Sequence, residues 1–478
     1  MKIEDLKKNR TMYNFSEISK IPRKSGHEKE VSNFIYNWAI NKGCKVYKDD
    51  FNNLIIKRKN NSSKDPIILQ AHLDMVCEKT PDSKHNFLKD PIEWNVQGGF
   101  IKSKNGTTLG ADCGIGVALI MTMIEKNNDR FPPIEAILTT REETDMAGAY
   151  NIKKDLIKAD RIINLDISPE NKILVGSSGG FACEINLDVS FEEYNGQAFE
   201  ISLLNMHGGH SGNDINKGYG NPLILINTLY KKIVKSGIDV RLISIDGGNS
   251  RLAIPREASL KFSSMDIQVE EKIKPIITKF LNFLTQKYGN SSKDIQLSYK
   301  KTNEIKVLSK KDELKFIELI SLIPNGINDM DNRFNGLVES SSNLGVIKFT
   351  KNQVSLIEEV RCAYEESGEY ILDKIKVLSK IYNFDINIHS NYPSWTSTER
   401  SPLCESVIEI YKKLYKDNPI VTASHSGNEL AILKDLLNLN DAIAIGPTRL
   451  YYHTPEEVLD YNSAIKFEEY LECILEKI

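Results

Sequence analysis

Only eight histidines occur among the 478 residues, and two of them keep company that could do chemistry. His72 closes the apolar run "PIILQAHLDMV", with Asp74 two residues on. On a strand that spacing puts both side chains on one face, so Asp74 could take the ring N–H of a metal-bound His72. Asp112 lies in "TLGADCGIGVA", a glycine-rich turn ahead of a helical run. Glu142 and Glu143 follow the apolar run "IEAILTT", Asp166 ends "RIINLD", and His453 sits in "GPTRLYYHTPEE". Singly, each has a bland reading as a loop cap, a packed imidazole or a solvated charge. Together they make a mixed nitrogen and oxygen donor set of the kind that holds zinc, manganese or cobalt.

The elements that must position these residues are legible as a pattern. Short apolar strands ("NLIIKRK", "PIILQAHLDMV", "IEAILTT", "RIINLDI") alternate with helical runs such as "GIGVALIMTMIEKN". That alternation predicts an α/β layer with a largely parallel sheet. Loops leaving the carboxyl ends of parallel strands share one crevice, and each candidate lies at or just after such an end. Past about residue 185 the pattern changes to half-buried strands ("QAFEISLLNM", "DVRLISID", "ASLKFSSM") with helical runs such as "VEEKIKPIITKFLNFLTQKYG". From "SPLCESVIEIYKKLY" the helix–strand alternation resumes. The expected organisation is an α/β domain over 1–187 and 391–478, interrupted by an α+β insertion over 188–390.

Composition narrows the function classes. Hydrophobic residues at 40% and charged residues at 27% are those of a globular protein of more than one domain. A net charge of −3 offers no electrostatic footprint for nucleic acid or an anionic membrane. The N-terminal stretch lacks the apolar run of a secretion signal, and the seven cysteines contain no C-x-x-C pair, so a reduced, cytoplasmic setting is expected. "HEKEV" at His27 begins like a zincin helix but has Val31 where the second histidine belongs. "GSSGG" (176–180) matches G-x-S-x-G around Ser178, but the segment after it reads as a strand, predicting a hairpin turn where a nucleophile elbow needs a helix.

The segments "HLDMVCEK", "GADCGIG", "REETDMAGA", "NLD", "GGHSGNDI", "IPRE", "SSNLG" and "GPTRLYYHTPEE" occur in an order that resembles the aminoacyl-histidine (Xaa-His) dipeptidases. These belong to the two-zinc aminopeptidase, carboxypeptidase and aminoacylase superfamily. The resemblance implies a phosphorylase/hydrolase-like catalytic domain with a mixed, mainly parallel sheet, interrupted by a lid domain. It implies two divalent ions, zinc before manganese or cobalt: one held by His72, Asp112 and Asp166, the other by Asp112, Glu143 and His453. Glu142 is implied as general base for a metal-activated water, and Asp74 as the partner of His72. His210 matches a lid histidine that stabilises the developing oxyanion, often across a homodimer formed through the lid. Arg361 matches an arginine for the substrate carboxylate, and Gly427 a glycine whose backbone approaches it. Glu429 stands where the family has a glutamate, and the resemblance implies no role for it.

The implied activity is hydrolysis of short peptides, β-alanyl-histidine and other Xaa-His types among them. A tripeptidase, carboxypeptidase or N-acyl amino-acid deacylase would use the same scaffold, and a catalytically silent binding protein is the alternative of another class. Three departures bear on this. Leu252 replaces the usual Asn before A-I-P, Asp145 a usual glycine, and Cys113 a common Asn beside Asp112.

Overall fold

The computed structural model describes residues 3–396 and 401–478. The chain divides into two compact units. The first comprises Met1–Ser177, Trp395–Ala423 and Asn428–Ile478, the second Ser178–Ser394 and Ser424–Gly427. The first boundary falls about ten residues before the expected 187/188, because strand Gly179–Asp188 pairs on both edges within the second unit's sheet.

In the first unit four strands form the centre of a nine-stranded sheet: β1 (Ile67–His72), β2 (Ile134–Thr139), β3 (Arg161–Asn164) and β4 (Asp441–Ala444). Their order is β2-β1-β3-β4, all parallel. β1 and β2 are buried at every position, which explains their almost uninterrupted apolar sequences. Towards both edges the sheet turns antiparallel. Leu54–Arg58 runs against β2 and carries Lys45–Lys48, while Lys172–Ser177 runs against β4. The mixed sheet is therefore parallel at its centre, and that centre aligns the carboxyl ends of the candidate strands.

Helices α1 (Arg10–Ser19), α2 (Lys29–Asn41), α3 (Ala111–Lys126) and α4 (Glu429–Leu437) belong to this unit. Glu125, near the end of α3, ties three of them together. It accepts from Arg10 (Nη2 at 2.5 Å), from Trp38 Nε1 at 3.3 Å and from Lys42 Nζ at 3.0 Å. Burial opposes its charge, but Arg10 and Lys42 outweigh burial and hold the carboxyl down at about 2. A depressed folded-state pKa stabilises above the ordinary value of 4.5, and the contribution disappears as pH falls through about 2. Glu125→Gln is thus expected to cost about 1–2 kcal/mol near neutral pH. In urea denaturation the gap between parent and variant should close on acidification. A gap that is unchanged from neutral pH to pH 2 would refute this.

The second unit is built on an antiparallel sheet of nine strands. Its central hairpin pairs Val338–Phe349 with Gln353–Cys362, and Gly179–Asp188 lies beside the latter. Helices Pro222–Lys235, Val269–Tyr288, Lys310–Leu322 and Glu365–Tyr382 supply apolar faces to one core. There Leu229, Phe280, Phe316 and Ile375 from the helices pack with Ile185, Leu260 and Leu356 from the sheet. Ser177 and Ser178 do not form a hairpin turn. The strands on either side, Lys172–Ser177 and Gly179–Asp188, belong to different sheets, and no helix follows Ser178 as a nucleophile elbow requires. No helix among the described residues is long and apolar enough to cross a membrane.

Candidate metal centre

Strand β1 delivers His72 and, two residues on, Asp74, both fully buried. His72 Nε2 lies 3.3 Å from Asp112 Oδ1 and 3.7 Å from Asp166 Oδ2. On the other side, Asp112 Oδ2 is 3.4 Å from His453 Nε2, which is 3.0 Å from Glu143 Oε1. Donor atoms of His72, Asp112, Cys113 and Asp166 lie within 4.8 Å of one another, as do those of Asp112, Glu143 and His453 and those of His72, Glu142 and Glu143. Asp112 offers a separate oxygen to each imidazole. Cys113 is less suited to ligation: its Sγ points to the Leu165 carbonyl at 3.4 Å, and burial pushes the thiol pKa well up.

The paired glutamates enter one site because strand geometry ends before them. β2 stops at Thr139, and Arg141 takes a left-handed φ of 61° that breaks the alternation of faces. Asp74 then holds the turn, its Oδ1 accepting the Glu142 N–H and its Oδ2 the Glu143 N–H, each at 3.1 Å. Asp74 is also 3.4 Å from His72 Nδ1 through Oδ1, although the ring lies nearer the Asp74 backbone carbonyl at 3.2 Å. One carboxylate thus serves both the imidazole and the glutamate turn. Asp145 points away, pairing with Arg141 on the surface and accepting the Ala147 N–H at 3.2 Å.

Three charged side chains have structural parts that sequence reasoning missed. Glu457 accepts the N–H groups of Leu109, Gly110 and Asp112, clasping the glycine-rich turn from 345 residues away. Arg23 donates to the carbonyls of Leu73, Asp74 and Gly110, tying the end of β1 to the same turn. Arg449 Nη1 reaches Asp112 Oδ1 at 2.8 Å and Asp166 Oδ1 at 3.1 Å. The signals "KIPRKSG" and "GPTRLYYHTPEE" contain all three, but their partners are not readable from spacing.

The electrostatics call for cations. Burial, with Asp112 adding its charge, pushes the Asp166 carboxyl up to about 8. Against the cost of burial, Arg449, His453 and His72 hold Asp112 well below its usual range. Also against burial, Asp112 and Glu143 push His453 up to about 10. Protons therefore sit where a metal would displace them. The buried Oε1 of Glu143 makes no hydrogen bond among the described residues despite the nearby imidazole, so the two atoms converge without being aimed at each other. The residues fit a pair of metal ions.

The second unit gathers its own polar cluster. Arg361, almost fully buried, donates from Nε and Nη2 to Ser211 Oγ, both at 3.2 Å, and from Nη1 to the Tyr392 hydroxyl at 3.0 Å. His210 Nδ1 accepts the N–H groups of Gly212 and Asn213 at 3.0 Å, which leaves Nε2 as the protonated nitrogen of the neutral ring. Gly427 lies against Tyr392, where an added Cβ would come within 2.9 Å of the ring. Leu252 is 41% exposed, and its carbonyl accepts the Ser211 N–H at 2.9 Å.

A mixed sheet with ligand-type side chains at its parallel carboxyl edge, joined to an antiparallel α+β unit, is the architecture of a metal-dependent peptidase. The chain belongs to peptidase family M20/M25/M40, whose model matches residues 68–477. It is 31% identical to the cytosol non-specific dipeptidase of Escherichia coli over 472 residues, covering 97% of this chain and 96% of that one. It also matches the crystal structure of aminoacylhistidine dipeptidase from Vibrio alginolyticus, with 28% identity and a TM-score of 0.86, covering 100% of this chain and 98% of that one. A tripeptidase structure from Staphylococcus aureus shares the fold at 14% identity and a TM-score of 0.59, covering 98% and 97%.

Proposed function

We propose that this peptidase is a two-metal dipeptidase, with aminoacyl-histidine dipeptides among its substrates. The observation that carries the reading is the sharing of Asp112 between two donor groups, one with His72 and Asp166, the other with Glu143 and His453. Those residues would hold the two ions, zinc suiting the donor set before manganese or cobalt. Bound there, the pair would supply Lewis acidity to the scissile carbonyl and to the attacking water. Glu142 takes a proton from the water at its carboxylate and delivers it to the nitrogen of the leaving amine. Asp74 keeps Glu142 and Glu143 apart in role by fixing both backbone amides. His210, with its proton on Nε2, is a donor suited to a developing oxyanion. The names of the Escherichia coli and Vibrio relatives support dipeptides as the substrate class.

A panel of dipeptides, aminoacyl-histidines, tripeptides and N-acyl amino acids, with products separated chromatographically, tests the reading. Dipeptide hydrolysis should dominate. Cleavage of acylated amino acids with dipeptides left intact would replace it with a deacylase. Arg361 is assigned to the substrate's free carboxylate. Arg361→Met is therefore expected to raise KM for dipeptides by about tenfold or more, the worth of a charge-assisted hydrogen bond. Peptides amidated at the C-terminus should show no such change. Equal losses on both would rule out the carboxylate role.

A further inference from the structure

One buried carboxylate of the first unit has no part in the assignments above. Glu429 opens α4 and is fully buried. Its Oε1 accepts from Gln70 Nε2 at 2.5 Å and from Thr139 Oγ1 at 3.0 Å, while Oε2 is buried with no hydrogen-bond partner among the described residues. The chain of bonds continues. Gln70 Oε1 accepts from Asn164 Nδ2 at 2.5 Å, and Asn164 Oδ1 accepts the backbone N–H of Asp166 at 3.1 Å. The row crosses β2, β1 and β3 just before the strand ends that bear the metal-site residues. Gln70 stands two residues before His72, and Asn164 two before Asp166.

The row has a direction, demanded at one end by the Asp166 N–H and matched at the other by Glu429. A primary amide presents a carbonyl on one side and an NH2 on the other, so either orientation of Gln70 and Asn164 would fill the same space. Glu429 Oε1, held by the Thr139 hydroxyl as an acceptor, demands the NH2 of Gln70. The Gln70 carbonyl must then face Asn164, whose NH2 answers it, and whose own carbonyl is left for the N–H of Asp166. Without an acceptor at 429, the Gln70 NH2 keeps only the Thr139 hydroxyl at 3.2 Å, and the row that steadies the Asn164 carbonyl against Asp166 loses its charged acceptor.

We infer that Glu429 is a positioning residue, the accepting end of a hydrogen-bonded row that fixes the backbone at Asp166 and so the affinity of the His72–Asp112–Asp166 group for its divalent ion. The inference rests on the proposed assignment of Asp166 as a ligand. Partners of this kind typically alter metal affinity or activity by about 10–100-fold.

The test titrates metal-stripped protein with zinc against a chromophoric chelator and follows kcat and KM on a dipeptide. Glu429→Ala is expected to weaken one of the two zinc sites by about 10–100-fold, with KM changing less than about threefold. Glu429→Gln keeps an accepting oxygen and should stay within about threefold of the parent. Gln70→Glu sets two carboxylates face to face and should weaken the same site. Combining Gln70→Glu with Glu429→Gln restores a donor–acceptor pair and should recover the affinity. Parent-like zinc binding by Glu429→Ala would overturn the inference, as would failure of the double variant to recover. If Glu429→Ala does not fold, the Gln70→Glu pair decides. Asp166→Ala run in parallel separates the two levels: if it keeps both ions, the ligand assignment itself fails. If it loses one while Glu429→Ala loses none, only the role of Glu429 fails.

Discussion

Replacing Glu142 by glutamine is expected to lower kcat on a dipeptide by about 10³-fold or more while the protein keeps both metal ions. Glutamine has nearly the same shape and leaves the backbone amide free to bond Asp74 Oδ1, so the turn that places it should survive. What it cannot do is accept a proton from water and return it to the leaving nitrogen. Burial, with the charges of Glu143 and Glu429 adding to it, pushes the Glu142 carboxyl well above its ordinary range. A raised pKa makes a carboxylate a stronger base than an ordinary surface one. The measurements are kcat, KM and metal content by elemental analysis on the same preparation. Turnover within tenfold of the parent, with metals in place, would remove Glu142 from the role of base. Loss of metal together with activity would make it a ligand instead.

How much of this site could be read from the sequence follows from the range over which each interaction acts. The strand-end positions of His72 and Asp166 were legible because a parallel sheet gathers its carboxyl ends whatever the details of packing, whereas Asp112, expected at such an end, lies at the start of α3 after a strand of a separate antiparallel sheet. That Glu142 and Glu143 enter one site was suggested by family resemblance and not by their spacing. Its physical cause, the left-handed Arg141 followed by the clamp of Asp74, depends on a contact 68 residues distant. Glu457, Arg23 and Arg449 were missed for the same reason. Each satisfies backbone or carboxylate groups brought close only by tertiary folding, and a charged residue near a loop carries no spacing signal for that. The row from Glu429 through Gln70 and Asn164 is quieter still, since amides inside apolar strands break no periodicity. In the fold, a mixed, mainly parallel sheet was expected, but which strands run antiparallel was not legible, because a short strand such as Lys45–Lys48 carries no sign of its direction. Asp145, an apparent intrusion into the glutamate motif, is resolved by its turn to the surface.

Metal content in single variants should separate the two ion sites and identify the shared ligand. Asp112 Oδ1 faces His72 and Oδ2 faces His453, so truncation to alanine strips a donor from both groups at once. His72 and Asp166 would remain on one side, Glu143 and His453 on the other, and two protein donors fall short of the three or four that hold a zinc ion firmly. Asp112→Ala is therefore expected to bind neither ion at micromolar zinc and to have no measurable peptidase activity. His453→Ala leaves His72, Asp112 and Asp166 intact and should keep one ion, while His72→Ala should keep the other. Thermal melting adds an independent readout, because ions that bind the folded state alone stabilise it by mass action. Added zinc should raise the melting temperature of the parent most, of His453→Ala and His72→Ala less, and of Asp112→Ala not at all. Asp112 also pairs with the buried Arg449 at 2.8 Å, so the metal-free variant should melt below the metal-free parent, and each zinc-induced rise is read against the same protein without metal. Two ions retained by Asp112→Ala, or both lost from His453→Ala, would refute the shared-carboxylate arrangement.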